Sequence, residues 1–298
     1  MRLRHPDGQT VHVATVVSVE NVKDVRGLLR RLDAAVVPQR QRLLADVLSI
    51  SLRLGPILAT TLASSIGLRR RLRSELASRS LEVVTLDAGA EATPADGTWR
   101  SWWLYTLDLA RVLVDLMPED SGHGSVSTTL PRFGTEHADS HREIAARLLS
   151  DLSAGLTEVA WHTGRLVRVA VEAAPQTLVG GSGDIVSLLG RADPARIGAC
   201  LSPAHLLHSA ESATQSVNQL RKAKLSVVKV RLGRHDDPEQ AELARSMLAA
   251  VLGGPHADCD HLEVDDVEEL DAARDELGVV GLDGAADRPL PGAGRSAA

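Results

Sequence analysis

LVRVAVE, residues 166–172, is short, rich in valine, apolar but for Arg168, and ends on the carboxylate Glu172. A strand buried on both faces reads this way. Seven further runs of the same kind flank it. VHVATVV (11–17), VLSISL (47–52), LEVVTL (81–86) and GSVSTT (124–129) come before; IGACLS (197–202), LSVVKVR (225–231) and CDHLEV (259–264) come after. Their starts are spaced by about thirty to forty residues, the length of one βα unit. Eight such units close a parallel barrel, which carries its chemistry at the carboxyl ends of the strands. The expected fold is therefore α/β, a single (β/α)8 TIM barrel over residues 11–283. Residues 1–10 read as a polar lead-in and 284–298 (GAADRPLPGAGRSAA) as a disordered tail.

Helical periodicity fills the gaps. Val22, Val25, Leu28, Leu29 and Leu32 mark a helix over about 22–44, and a second follows Gly55-Pro56 to about Ser78. Its RRRLR stretch suits a solvated helix face better than an anion patch. A third helix starts near Thr98 and carries apolar residues on more than one face, Trp99, Trp102, Tyr105, Leu109 and Leu113 among them. Others span about 141–163 and 238–252, and a last one is expected in the acidic region 258–276.

The totals narrow the function classes. The 298 residues exceed the ~250 of a typical barrel, so one domain suffices. Aromatic residues make up only 2%, which disfavours base- and sugar-stacking platforms. The net charge of −6 carries no basic footprint, so no nucleic-acid partner is expected. The two cysteines, Cys200 and Cys259, form no C-x-x-C pair, and a cytoplasmic, reducing location is expected. No membrane segment and no secretory leader are apparent. The expected partner is a small-molecule ligand; protein partners are unknown.

Candidate site residues stand at the strand ends. Glu172 suits a metal ligand or general base, and equally a carboxylate paired with Arg231 or Lys229 across the barrel mouth. His205 suits a ligand or a buried histidine bonded to backbone. Ser202 suits a hydrogen bond to substrate or a small replacement. His261, Glu263 and Asp265 alternate, which places them on one strand face; H-x-E-x-D suits metal ligation or an acidic rim. Lys229 suits a Schiff base, as in a metal-free lyase or aldolase, or a structural ion pair. Asp87 closes the third run as a substrate-binding candidate. Gly180-Gly181-Ser182-Gly183 suits a phosphate cradle or a plain flexible loop. His123, His137 and His141 bracket the fourth run without metal-ligand spacing, and no G-x-S-x-G elbow occurs.

Several segments in order resemble one family: residues 12–43 (beginning HVATVVSVENVKDVRGLLRRLD), LEVVTLDAG, WWLYTLDLARVLVDLMPED, GSVSTTLP, VAVEAAP, GACLSPAH and VVKVRLG. They resemble the metabolite-traffic proteins E of the ebo gene clusters (EboE type), over about residues 12–232. The resemblance implies a xylose isomerase-like TIM barrel of the sugar phosphate isomerase/epimerase superfamily. It also implies a divalent metal (Mn2+, Mg2+ or Zn2+) at the strand ends and proton transfer next to a carbonyl.

Position by position, this chain departs from that pattern. Glu172 matches the first acid of the family's L-E-P-E-P, but Ala174 replaces the second, and a later acid is Gly180. In C-Y-D-V-C-H the histidine is kept as His205 and the Asp has become Ser202. K-I-Q reads Lys229-Val230-Arg231. Ser18 and Glu20 stand at the family's Asn and His positions, and the aromatic loop N-G-F-P-Y-G reads Asp87-Ala88-Gly89-Ala90-Glu91-Ala92. A serine hydroxyl is a poor ligand for a hard cation, and Arg231 repels a metal while attracting a phosphate or carboxylate. The resemblance thus implies either an isomerase or epimerase with an incomplete metal set (Glu172, His205, His261, Glu263) or a non-catalytic trafficking component built on the same barrel.

Overall fold

The computed structural model describes residues 2–88, 98–131, 138–233, 238–265 and 280–281. Ten strands and nine helices are assigned among them. β1 (Arg2–Arg4) precedes eight barrel strands: β2 (Thr10–Val19), β3 (Leu48–Leu54), β4 (Leu81–Asp87), β5 (His123–Thr129), β6 (Leu166–Glu172), β7 (Ile197–Leu201), β8 (Val227–Gly233) and β9 (Cys259–Val264). β2 to β9 pair in sequence order, all parallel, and β9 returns to β2 through His12↔His261 and Ala14↔Glu263, which closes the barrel. The expected (β/α)8 barrel is thus the observed fold.

The ends of the chain add what the sequence pattern did not announce. Within the expected lead-in, β1 pairs antiparallel with β2 and with β10 (Val280–Gly281). The last helix expected in the acidic region and the tail from residue 284 lie outside the described residues.

Helices α1 (Val25–Arg42), α2 (Pro56–Ala63), α3 (Ile66–Ser78), α4 (Trp99–Leu116), α5 (Ala138–Thr163), α6 (Ser182–Leu189), α7 (Pro203–Ser209), α8 (Ala213–Lys222) and α9 (Pro238–Leu252) cover the strands. The helix expected over 56–78 is two helices. Ser65 turns extended and its hydroxyl accepts the Leu68 N–H, starting α3 afresh. Arg69 donates to the carbonyls of Leu62 and Ala63, the open end of α2, and pairs with Asp115 on α4, so the arginine-rich stretch is partly structural. α4 is buried on several faces. Its Tyr105 hydroxyl reaches the carbonyls of Leu54 and Ala88, the latter at 3.1 Å, and so ties the ends of β3 and β4.

Alternation along each strand sorts two cores. Leu, Ile and Val point outward and pack against the helices, as with Ile50, Leu52, Val126, Val169 and Leu262, all buried. The inward positions are small or polar: Ala14, Ser49, Ser51, Thr85, Ser125, Ser127, Ala170, Gly198 and Cys200. A Cβ on Gly198 would lie 2.5 Å from the Ser226 carbonyl oxygen, so only glycine lets β7 and β8 approach this closely. TIM-barrel interiors are ordinarily filled by layers of branched aliphatic residues. Here small residues leave room for long charged side chains to cross the lumen.

Candidate functional site

The barrel lumen holds two polar layers. Toward the amino ends of the strands, His12 (β2), His123 (β5) and His261 (β9) meet. The His261 ring stacks on His12 at 5.4 Å and meets His123 edge-on at the same distance. Burial holds His261 well below the usual histidine range, and its histidine neighbours add to this. His12 is lowered to about 4, by burial first and then by Arg2. His261 therefore stands one inward layer closer to the amino ends than Glu263, two residues on along β9, and turns to the other histidines.

Toward the carboxyl ends an ionic cluster spans the lumen. Lys229, on β8 and fully buried, donates to Glu263 on β9 (2.5 Å), to Ser127 on β5 (3.0 Å) and to the Leu86 carbonyl on β4 (3.0 Å). Two residues on, Arg231 faces three carboxylates. Its Nη2 lies 2.7 Å from Asp87, its Nη1 2.9 Å from Glu172, and its Nε 3.2 Å from Glu263. Arg53, from the end of β3, takes the other oxygen of Asp87 at 2.7 Å and approaches Glu20 at 3.9 Å on the rim. Glu263 also accepts from Ser51 across the barrel. Three buried carboxylates, Asp87, Glu172 and Glu263, thus face three cations, Arg53, Lys229 and Arg231. Glu20 adds a fourth, half-exposed negative charge.

Burial works against both members of the Arg231–Glu172 pair. It lowers the arginine, but Asp87, Glu172 and Glu263 outweigh it and leave the guanidinium well above its ordinary value. Burial raises Glu172, and Arg231 offsets only part of that because Asp87 and Glu263 repel a second negative charge. Of the two roles weighed for Glu172, the geometry contains the pair with arginine.

Glu172 and Arg231 also form the floor of a cavity of about 380 Å³ at the barrel mouth, between the ends of β6, β7 and β8; Thr129, Ser202, His205, His208 and Gln240 line it too. Ser202 is the N-cap of α7: its oxygen accepts the His205 N–H at 3.3 Å. His205 sits on α7, buried. Its ring nitrogens lack a hydrogen-bond partner, and Nε2 lies 3.7 Å from Glu211, a charge contact. Burial lowers its pKa, and Glu211 recovers part of the loss. Glu211 is itself held by the Ser182 N–H and the Ser216 hydroxyl. Gly180 borders the cavity, and Ser182 opens α6.

The geometry thus joins Asp87, Glu172, Lys229, Arg231 and Glu263 in one continuous network and sets Ser202 beside it in the cavity lining. It sets His205 at the edge of that network and leaves His261 outside it. Among the described residues, no three His, Cys, Asp or Glu side chains are arranged to hold a metal ion. The sequence reading passed over Arg53, His12 and Glu211. Arg53 had a legible signal, since it follows Ser49 and Ser51 at inward positions of β3. Glu211 had none, because the left-handed turn at Ala210 that ends α7 is what brings it back to His205.

No protein-family model matches the sequence, and no curated protein matches it. Solved structures do resemble the fold. The 3-keto-D-glucoside 4-epimerase of E. coli is similar at a TM-score of 0.55 and 12% identity, over 90% of this chain and 98% of that one. A xylose isomerase domain protein from Alicyclobacillus acidocaldarius gives 0.53 and 14%, over 89% and 97%. The D-allulose 3-epimerase of Methylomonas sp., in complex with D-allulose, gives 0.56 and 13%, over 90% and 88%. The chain therefore has the xylose isomerase-like TIM-barrel fold. No helix among the described residues is long and apolar enough to cross a membrane.

Proposed function

We propose that this chain is a divergent xylose isomerase-like barrel of the metabolite-traffic (EboE) type that binds, or acts on, a small sugar, polyol or sugar phosphate at its mouth. The observation that carries this reading is the cavity of about 380 Å³ over Glu172 and Arg231, at the strand ends where such barrels keep their chemistry. Its fold neighbours include proteins named as sugar epimerases, which supports a polyhydroxylated ligand. Hydroxyls of that ligand find neutral partners in Thr129, Ser202, His205 and Gln240.

The divalent cation implied by the resemblance does not fit the residues present. Two of the expected ligands, Glu172 and Glu263, already face Arg231; a third, His261, lies one layer below them, packed with His12 and His123. A metal would have to enter a cluster whose carboxylates are opposed by cations. Lys229 gives its N–H groups to three acceptors, which favours a structural ion pair over a Schiff base.

A second reading is a non-catalytic scaffold or trafficking component of a secondary-metabolite pathway. The pairing of every carboxylate in the cluster favours it, since a proton-transfer base needs an uncommitted lone pair. Thermal unfolding of the purified protein against a panel of sugars, polyols and sugar phosphates tests the binding reading, because a ligand of the folded state raises Tm by mass action. We expect stabilisation by at least one class, abolished by Glu172→Ala; indifference to all three refutes it. Isomerase and epimerase assays with the stabilising compound separate enzyme from carrier. Neighbouring genes for a prenyltransferase-like membrane protein and a cyclase are the expected context of the metabolite-traffic type.

A further inference from the structure

We infer that the Arg231 guanidinium is a built-in substitute for a divalent cation: it holds Asp87, Glu172 and Glu263 together as a metal would, and its removal converts the mouth into a cation site. This deepens the reading of an incomplete metal set and rests on it.

Three carboxylates from three different strands, β4, β6 and β9, converge on one planar cation from a fourth, β8. The N–O distances are 2.7, 2.9 and 3.2 Å. Such convergence is costly without a central positive charge, because like charges a few ångströms apart in a dry interior repel strongly. A hard divalent cation and a guanidinium solve the same electrostatic problem by different means. The cation gathers oxygens from all directions at 2.0–2.6 Å, whereas the guanidinium reaches them in its plane at hydrogen-bond distance. The second solution needs no loading and no open coordination position.

The surroundings are built for the second. Ser127 and Ser51 supply hydroxyls to the cluster: Ser127 accepts from Arg231 at 3.2 Å and from Lys229 at 3.0 Å, and Ser51 donates to Glu263. Lys229 and Arg53 neutralise the two carboxylates that Arg231 shares. At the mouth, Ser202 lines the same cavity as Glu172 with a neutral hydroxyl rather than a further negative charge. Independently of the acids, His205 brings a buried imidazole without hydrogen-bond partners to the same cavity. It is the kind of donor a cation would recruit once Arg231 is gone.

The test removes the guanidinium and asks whether a metal replaces it. The proteins are the full chain, Arg231→Gln, and Arg231→Gln with Ser202→Asp. The probes are Mn2+, Mg2+ and Zn2+ alone, read by thermal unfolding and, for Mn2+, by loss of the free-ion electron-paramagnetic-resonance signal. The unaltered chain should be indifferent to all three. Both variants should gain about 3–5 °C in Tm at about ten times the dissociation constant, the double variant at lower metal concentration. Where a variant folds only when refolded with Mn2+, that is the same result in stronger form. Cation stabilisation of the unaltered chain overturns the reading of an incomplete metal set. Indifference of the unaltered chain together with variants that neither bind nor fold with metal overturns the role of Arg231 alone.

Discussion

Acidifying the protein from about pH 7.5 to about pH 4.5 should drain its stability through the histidine layer at the amino end of the barrel. The sign follows from burial. In the unfolded chain a histidine titrates near 6.5; in the folded chain His12 titrates near 4 and His261 well below its ordinary value. Between those limits the unfolded chain binds more protons than the folded one, so stability falls as pH falls. It is present in full above about pH 7 and is lost progressively toward pH 4. For His12 the whole displacement corresponds to about 3 kcal/mol, of which about 2 kcal/mol is gone by about pH 5. His261 adds a second loss. The two rings, 5.4 Å apart, titrate as a coupled pair, so the first proton makes the second harder to place. His205 contributes in the same direction from the other end of the barrel. Carboxylates held below their usual range, such as Glu211 and Asp120, lose their share only at lower pH, and Glu172, raised by burial, works in the opposite sense. Urea unfolding followed by tryptophan fluorescence at a series of pH values measures the slope, with His12→Gln as the matched variant. The variant should lose about one proton's worth of pH dependence, about 1.4 kcal/mol per pH unit, over this range. A wild-type midpoint that stays flat between about pH 7 and pH 5, or a variant with the wild-type slope, refutes the reasoning.

The lumen and the Tyr105 tie between β3 and β4 give two further outcomes. Glu263→Gln removes the shared partner of Lys229 and Arg231 and leaves two buried cations short of a counter-charge, so it should cost about 3–5 kcal/mol in denaturant unfolding, more than a surface carboxylate does. Tyr105→Phe deletes the hydroxyl that ties the ends of β3 and β4 and should cost about 1–2 kcal/mol by the same measurement, while the helix content read by far-UV circular dichroism stays unchanged.

The fold was legible because the outward faces of the strands obey a simple rule. Branched aliphatic residues at Ile50, Val126, Val169 and Leu262 meet helices wherever the chain runs, so eight apolar runs sufficed to count the barrel strands. Boundaries slipped where polar groups decide them. Ser65 restarts a helix that periodicity alone carries through, and Ser202 ends a run and caps a helix too short to show a period. The site was legible one strand at a time. Glu172, Lys229, Arg231 and Glu263 each stand at the end of an apolar run, where a charge is conspicuous. The distances between strands were not legible. Whether Arg231 meets one carboxylate or three depends on the closure of β9 onto β2 and on the irregularities in register that aim β8 into the lumen. The histidine layer was missed for the same reason: His12, His123 and His261 are far apart in the chain, and only the closed ring stacks them.

A barrel interior made of hydroxyls, imidazoles and paired charges also sets how the protein responds to warming. Uncovering apolar surface raises the heat capacity of the unfolded chain, whereas uncovering polar surface lowers it. The lumen therefore subtracts from what the aliphatic layer between strands and helices contributes, and the curvature of stability against temperature is shallower than a barrel of equal length filled with valine and leucine would have. The dehydration penalty of the Lys229–Glu263 and Arg231–Glu172 pairs also shrinks as temperature rises, so this interior retains its strength toward the hot limb of the curve.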